Sequence, residues 1–173
     1  IRPNTKAVFT ESPGSLTFEI QDIPAIAAEA HKAGAAVLMD NTWAAPILNR
    51  PYELGVDIVT YSATKYVSGH SDFVMGVIST NEKYLPIVEA THKNIGACPG
   101  PDDVYLAQRG LRTLAVRLKQ HEQAALEIAE WIKTVPEVTQ VLHPALPDYP
   151  GHDIWKRDFS GSNGLFGFVV KPC

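Results

Sequence analysis

Short apolar runs separated by polar turns set the rhythm of this chain. AVFT, within Lys6–Thr10, reads as a strand, and Pro13 and Gly14 turn the polar segment that follows. Asp22 suits a helix N-cap, Pro24 the first turn and Gly34 the position past the end, which predicts a helix to about Lys32. AAVLMD then runs apolar without alternation, the mark of a buried strand. Strand, helix and strand in that order predict a βαβ unit and a parallel sheet. A short helix is expected to begin at Asn49, Arg50 and Pro51 and to end at Gly55. DIVTYSAT and VMGVIST are the next strands. Asn81 is expected to cap a helix with Pro86 inside it, and NIGACPGPDD is a Gly/Pro connector.

From Asp102 the period changes. Leu111, Leu114, Leu118, Ala125, Ile128 and Ile132 recur on one helical face. Arg112, Arg117, Lys119, Glu122 and Glu127 fall largely on the other, and both arginines read as helix-face charges. The run predicts a helix of roughly 30 residues, long enough to bend or break. EVTQVLHP is a strand, PALPDYPGH a loop, and FGFVVKPC a strand with no partner visible in the sequence.

Polar groups just past buried strands sit where ligands bind in open α/β sheets. VLMD ends in Asp40, and DIVTYSATK ends in Ser62, Thr64 and Lys65. Ser62 and Thr64 alternate along one strand face, so both hydroxyls can aim at one phosphate, while Tyr61 and Ala63 face into packing. Thr42 points with Asp40 if the strand continues, where it packs on a ligand ring or simply fills the strand. This set suits pyridoxal phosphate, which takes a lysine amine on its aldehyde, an acid at its pyridine nitrogen, and donors at its phosphate. Partial burial would favour the neutral, nucleophilic form of Lys65. Trp43 is expected in the site wall, and Glu11 and Ser12 lie at the end of the first strand, on the same sheet edge as Asp40. His70, Ser71 and Asp72 either order the lysine segment or form an ordinary polar loop.

DNTWAAP followed by SATKYVSGHSD resembles the trans-sulfuration family of pyridoxal-phosphate enzymes. ESPGS, GLRTLAVRLKQHE, HPALP and GHDIWKRDFSGSNGLF are most similar to its bacterial cystathionine β-lyase branch, and the likeness runs from Ala7 to Val170. The resemblance implies an aspartate-aminotransferase-like fold: α/β, a mainly parallel sheet flanked by helices. It implies Lys65 as the catalytic residue, and Asp40, Thr42, Ser62, Thr64 and Lys65 as cofactor-binding residues. The implied reaction is β-elimination of L-cystathionine in methionine biosynthesis, by a homotetramer acting on a small amino acid. Residues 1–135 would belong to the large cofactor domain and 136–173 to the start of a small C-terminal domain. Family members are more than twice this long, so the chain is expected to be an internal fragment. A ring-stacking tyrosine, a glycine-rich phosphate segment and a carboxylate-binding arginine would then lie outside it. The γ-eliminating members are the rival within the class, and a non-catalytic α/β domain is the rival outside it.

Length and charge change this picture little. The 173 residues suffice for one domain with a sizeable core. A net charge of −4 gives no reason to expect nucleic acid or an anionic membrane as partner. No apolar run approaches the ~20 residues of a membrane span. Cys98 and Cys173 show no CxxC or metal spacing, His121 begins no HExxH, and a reducing cytoplasmic setting is expected.

Overall fold

The computed structural model describes residues 1–172; Cys173, the last residue of the expected FGFVVKPC strand, lies outside the described residues. Four strands form the main sheet: β1 (Ala7–Glu11), β2 (Ala36–Asp40), β3 (Ile58–Ser62) and β4 (Gly76–Thr80), in that spatial order. The β1–β2 and β2–β3 pairings are parallel, and β4 joins the edge antiparallel. The sheet is therefore mainly parallel. Helix α1 (Ile23–Lys32) crosses between β1 and β2. Asp22 caps it, accepting a hydrogen bond from the Ala25 N–H at 3.3 Å, and Gly34 ends it at φ 70°. Its buried face, Ile23, Ala27 and Ala30, packs on Val37 and Met39 of β2 and Val59 of β3. Burying those side chains stabilises the layer by roughly 1.5–3 kcal/mol for each large one.

The short helix is a 3₁₀ turn, Pro51–Leu54, ended by Gly55 at φ 91°. Helix α2 (Leu85–Ile95) starts later than expected. Asn81 caps the turn before it, accepting from the Tyr84 N–H at 3.2 Å, so Pro86 falls in the first turn and interrupts nothing.

The long helix breaks. α3 (Pro101–Leu111) and α4 (Leu114–Lys133) are separate, with Arg112 and Thr113 between them. The Thr113 hydroxyl donates to Gly110 O at 3.2 Å, taking a carbonyl from the helical ladder. Leu114, Leu118, Ala125 and Ile132 are buried as expected, but Leu111 and Ile128 are about half exposed. Leu111 precedes the break, so its helical phase is not carried into α4.

A second sheet pairs β5 (Val138–Leu142) with β6 (Gly167–Val170), antiparallel. The FGFVVKPC run thus has the partner that the sequence did not reveal. Between these strands α5 (His152–Asp158) packs Trp155 against the cluster of Trp43, Leu114, Leu118, Leu146, Tyr149 and Phe159. That cluster joins the turn after β2 to α4 and to the last forty residues.

Candidate active site

One cleft of about 690 Å³ opens at the C-terminal ends of β2 and β3 and is lined by Asp40, Thr42, Ser62, Thr64 and Lys65 together. The register explains the meeting: Glu11 lies opposite Asp40, and Asp40 opposite Thr60, so three strand ends share one edge. β2 stops at Asp40 because its Oδ1 accepts the Thr42 N–H at 2.8 Å, a local turn that ends the ladder. Thr42 therefore does not continue the strand. Its hydroxyl instead accepts the Ser62 N–H at 2.8 Å and ties the ends of β2 and β3 together.

β3 also ends earlier than the sequence suggests. Ser62 is its last residue, and Ala63–Ser68 form a turn in which Lys65 N–H donates to Ser62 O and Ser68 N–H to Ala63 O. Thr64 is thus not on the face of Ser62. Its hydroxyl bonds the backbone of Met75, accepting from N–H at 3.1 Å and donating to the carbonyl at 3.4 Å. Ala63 is fully buried and Tyr61 packs against the core beside α1, as the alternation predicts. Lys65 is exposed along the cleft rather than partly buried. Neither it nor Arg117 forms an ion pair among the described residues.

Loops complete the walls. Ser15 donates to Glu11 Oε1 at 2.8 Å and both line the cleft, whereas Ser12 is buried and accepts the Gln21 N–H. Trp43 is a packed wall residue: it meets Phe159 edge-on at 5.9 Å, and its indole N–H donates to Leu165 O at 3.1 Å. Asn163 donates to the Trp43 carbonyl and accepts the Leu165 N–H at 2.7 Å. The segment Leu165–Gly167 is thereby held over the cleft. Ser71 reaches the lining, while Asp72 accepts from Ser68 Oγ at 2.9 Å and Arg109 Nη2 at 2.7 Å, pinning the lysine segment to α3.

Three titratable lining residues were missed in the sequence: Tyr66, Arg117 and His121. Burial pushes the Tyr66 phenol up to about 12, and its ring meets His121 at 5.9 Å. Arg117 is not a surface charge. Its Nη2 donates to Tyr66 O at 2.8 Å and Gly110 O at 2.9 Å, and burial lowers the guanidinium pKa. Two signals pointed there: the spacing that puts Arg117 and His121 one turn apart on a helix, and a glycine inside a helical run at Gly110.

The donor set matches pyridoxal phosphate. Among the described residues the Lys65 amine, one Asp40 oxygen and the Ser62 hydroxyl have no partner, which offers the cleft a group for the aldehyde, the ring nitrogen and the phosphate. The family described as Cys/Met metabolism PLP-dependent enzyme matches residues 1–172. A putative cystathionine beta-lyase of Rhizobium johnstonii is 52% identical over 98% of the chain and 43% of its own length. A cystathionine beta-lyase of Escherichia coli is 46% identical over 99% of the chain and 44% of its own length. The solved cystathionine gamma-lyase of Lactobacillus plantarum, complexed with L-serine, superposes with a TM-score of 0.95 at 36% identity, over 99% of this chain and 45% of that one. The chain thus spans less than half the length of each of these relatives. With its mainly parallel sheet and this donor set at the strand ends, the chain belongs to the Cys/Met metabolism family of pyridoxal-phosphate-dependent enzymes.

Proposed function

We propose that the whole protein cleaves the Cβ–S bond of L-cystathionine, releasing homocysteine, pyruvate and ammonia in methionine biosynthesis. The observation that carries this reading is the 52% and 46% identity to relatives named as cystathionine beta-lyases, across the segment that builds the cleft. Pyridoxal phosphate, when bound, supplies a sink for the electron pair released at the substrate Cα. Lys65 would hold the cofactor at its aldehyde carbon and would take the substrate Cα proton on Nζ. Asp40 keeps a proton on the ring nitrogen through its charge. Ser62 donates to the phosphate, and Thr64 can do so by giving up its long 3.4 Å bond to Met75 O. Thr42 would flank the bound ring while its hydroxyl holds the Ser62 backbone. Trp43, Leu165 and Phe166 keep water from the reacting carbon.

The superposition on a cystathionine gamma-lyase favours a second reading, cleavage at Cγ. The products separate the two. Supplied with L-cystathionine, the whole protein is expected to yield pyruvate and homocysteine; 2-oxobutyrate and cysteine would establish γ-elimination instead. Lys65→Ala is expected to lower turnover at least about 10³-fold, and a variant of undiminished rate would remove Lys65 from the site. Further parts of this reading are a division into a large domain (1–135) and the start of a small one (136–173), a homotetramer, and a cytoplasmic location. The two separate sheets support the first, and family resemblance alone supports the others.

A further inference from the structure

We propose that Arg117 is a positioning residue for Lys65: its guanidinium spans the break between α3 and α4 and holds the backbone of the turn that carries the amine. This rests on the reading of Lys65 as the cofactor-binding amine. The bonds are specific. Nη2 donates to Tyr66 O at 2.8 Å, to Val67 O at 3.5 Å and to Gly110 O at 2.9 Å, while Nε donates to Thr113 Oγ1 at 3.0 Å. Tyr66 follows Lys65 directly, so the carbonyls that Arg117 grips belong to the lysine turn itself.

Space around the guanidinium is closed. A Cβ built on Gly69 would lie 2.2 Å from Arg117 Nη1, and one built on Gly110 would lie 2.0 Å from Val67 O. Gly69 also stands at φ 68°, where side chains are strained. Two glycines thus let the turn, the guanidinium and the end of α3 approach to contact. The fork geometry matters, because Nη2 must meet the Tyr66 and Gly110 carbonyls while Nε meets the Thr113 hydroxyl. The turn's own backbone bonds run from Lys65 N–H to Ser62 O, Ser68 N–H to Ala63 O and Gly69 N–H to Lys65 O, leaving the Tyr66 and Val67 carbonyls to Arg117; without it the exposed Lys65 side chain would sample more positions. Fixing its backbone raises the fraction of time the amine spends within reach of the cofactor aldehyde and the substrate Cα.

The test uses the whole protein with Arg117→Met and Arg117→Lys. In the cofactor-free state, amide hydrogen exchange at residues 65–69 is expected to rise about tenfold or more in R117M, with β2 and α1 unchanged. R117K, which keeps the charge and a donor but not the fork, is expected to fall between R117M and the parent. In the loaded enzyme, kcat is expected to drop about 30-fold with KM within about twofold, since substrate binding groups are untouched. Parent-like exchange at 65–69 in R117M overturns the proposal. So does loosening of β2 and α1 to the same degree, which would make Arg117 an ordinary stabilising residue. Lys65→Ala serves as the separate control: undiminished turnover in that variant overturns the reading of the site and leaves the exchange result standing by itself.

Discussion

Asp40 shows how one side chain can serve both the fold and the chemistry. Its Oδ1 is held by the Thr42 N–H, which ends β2, and its other oxygen makes no hydrogen bond among the described residues. Asp40→Asn keeps an oxygen for the Thr42 contact but loses the charge that a protonated ring nitrogen needs. The expected result is a fall in kcat of about 10²-fold or more with a thermal midpoint close to the parent's. Steady-state kinetics beside a melting curve would check it, and a loss of cofactor affinity alone would contradict it. Asp40 and Lys65 were legible as strand-end residues, Asp40 because it follows VLM directly and Lys65 because it follows a β-rich run closed by two hydroxyl residues. Thr64 was legible in place but not in orientation, since nothing local says that β3 stops at Ser62. Arg117 was hard to read as a site residue because its spacing to His121 and the nearby Gly110 also suit a solvated helix charge, and the break at Thr113 turns it inward.

At the scale of elements, α3 and the lysine turn meet backbone to backbone at Gly110. Gly110 is required there, since an added Cβ would meet Val67 O at 2.0 Å and Ser68 O at 2.7 Å, both backbone atoms. Gly110→Ala is therefore expected to destabilise by roughly 1–3 kcal/mol despite alanine's better helix propensity. Urea denaturation would measure this, and a stabilised variant would show that α3 can move away freely. A second join is Asp57, buried just before β3, which accepts from the Val37 N–H at 2.8 Å, from Asn81 at 2.8 Å, and meets His31 Nε2 at 2.9 Å. Burial alone would raise its pKa, but these hydrogen bonds outweigh burial and leave it below the usual carboxylate value. A depressed folded pKa adds stability that is present above the unfolded value of 3.8 and is lost as pH falls through the folded one. Stability is expected to decline below about pH 4, and Asp57→Asn should flatten that part of the curve. Urea midpoints taken across the acid range would reveal either slope. The βαβ order was legible because each element carries its own period and caps. The β5–β6 pairing was not, because it joins runs nearly thirty residues apart with no hairpin turn to announce it.

For the whole molecule, the exposed surface sets the behaviour of the chain by itself. β1 and β4 are the edges of the main sheet; Phe9, Val77 and Ile78 are exposed on them, and α2 buries none of its residues. Residues 1–173 produced alone are expected to self-associate and to form no pyruvate from L-cystathionine. The paired β6 removes one of the open strands that the sequence suggested, so the edges of the main sheet are where association should begin. Light scattering with a pyruvate assay tests this, and a monodisperse, active chain would refute it. The strap over the cleft carries a different consequence, one of timing. Trp43 and the Leu165 carbonyl that its indole binds are separated by 122 residues. At about 5–20 residues per second, a ribosome adds Leu165 roughly 6–24 seconds after Trp43. For about the last 5–20 seconds of that interval, Asp40 and Lys65 are both synthesised while Leu165 is not. A nascent chain halted before Asn163 should leave its indole open to an aqueous quencher of fluorescence, and extending synthesis past Leu165 should close it.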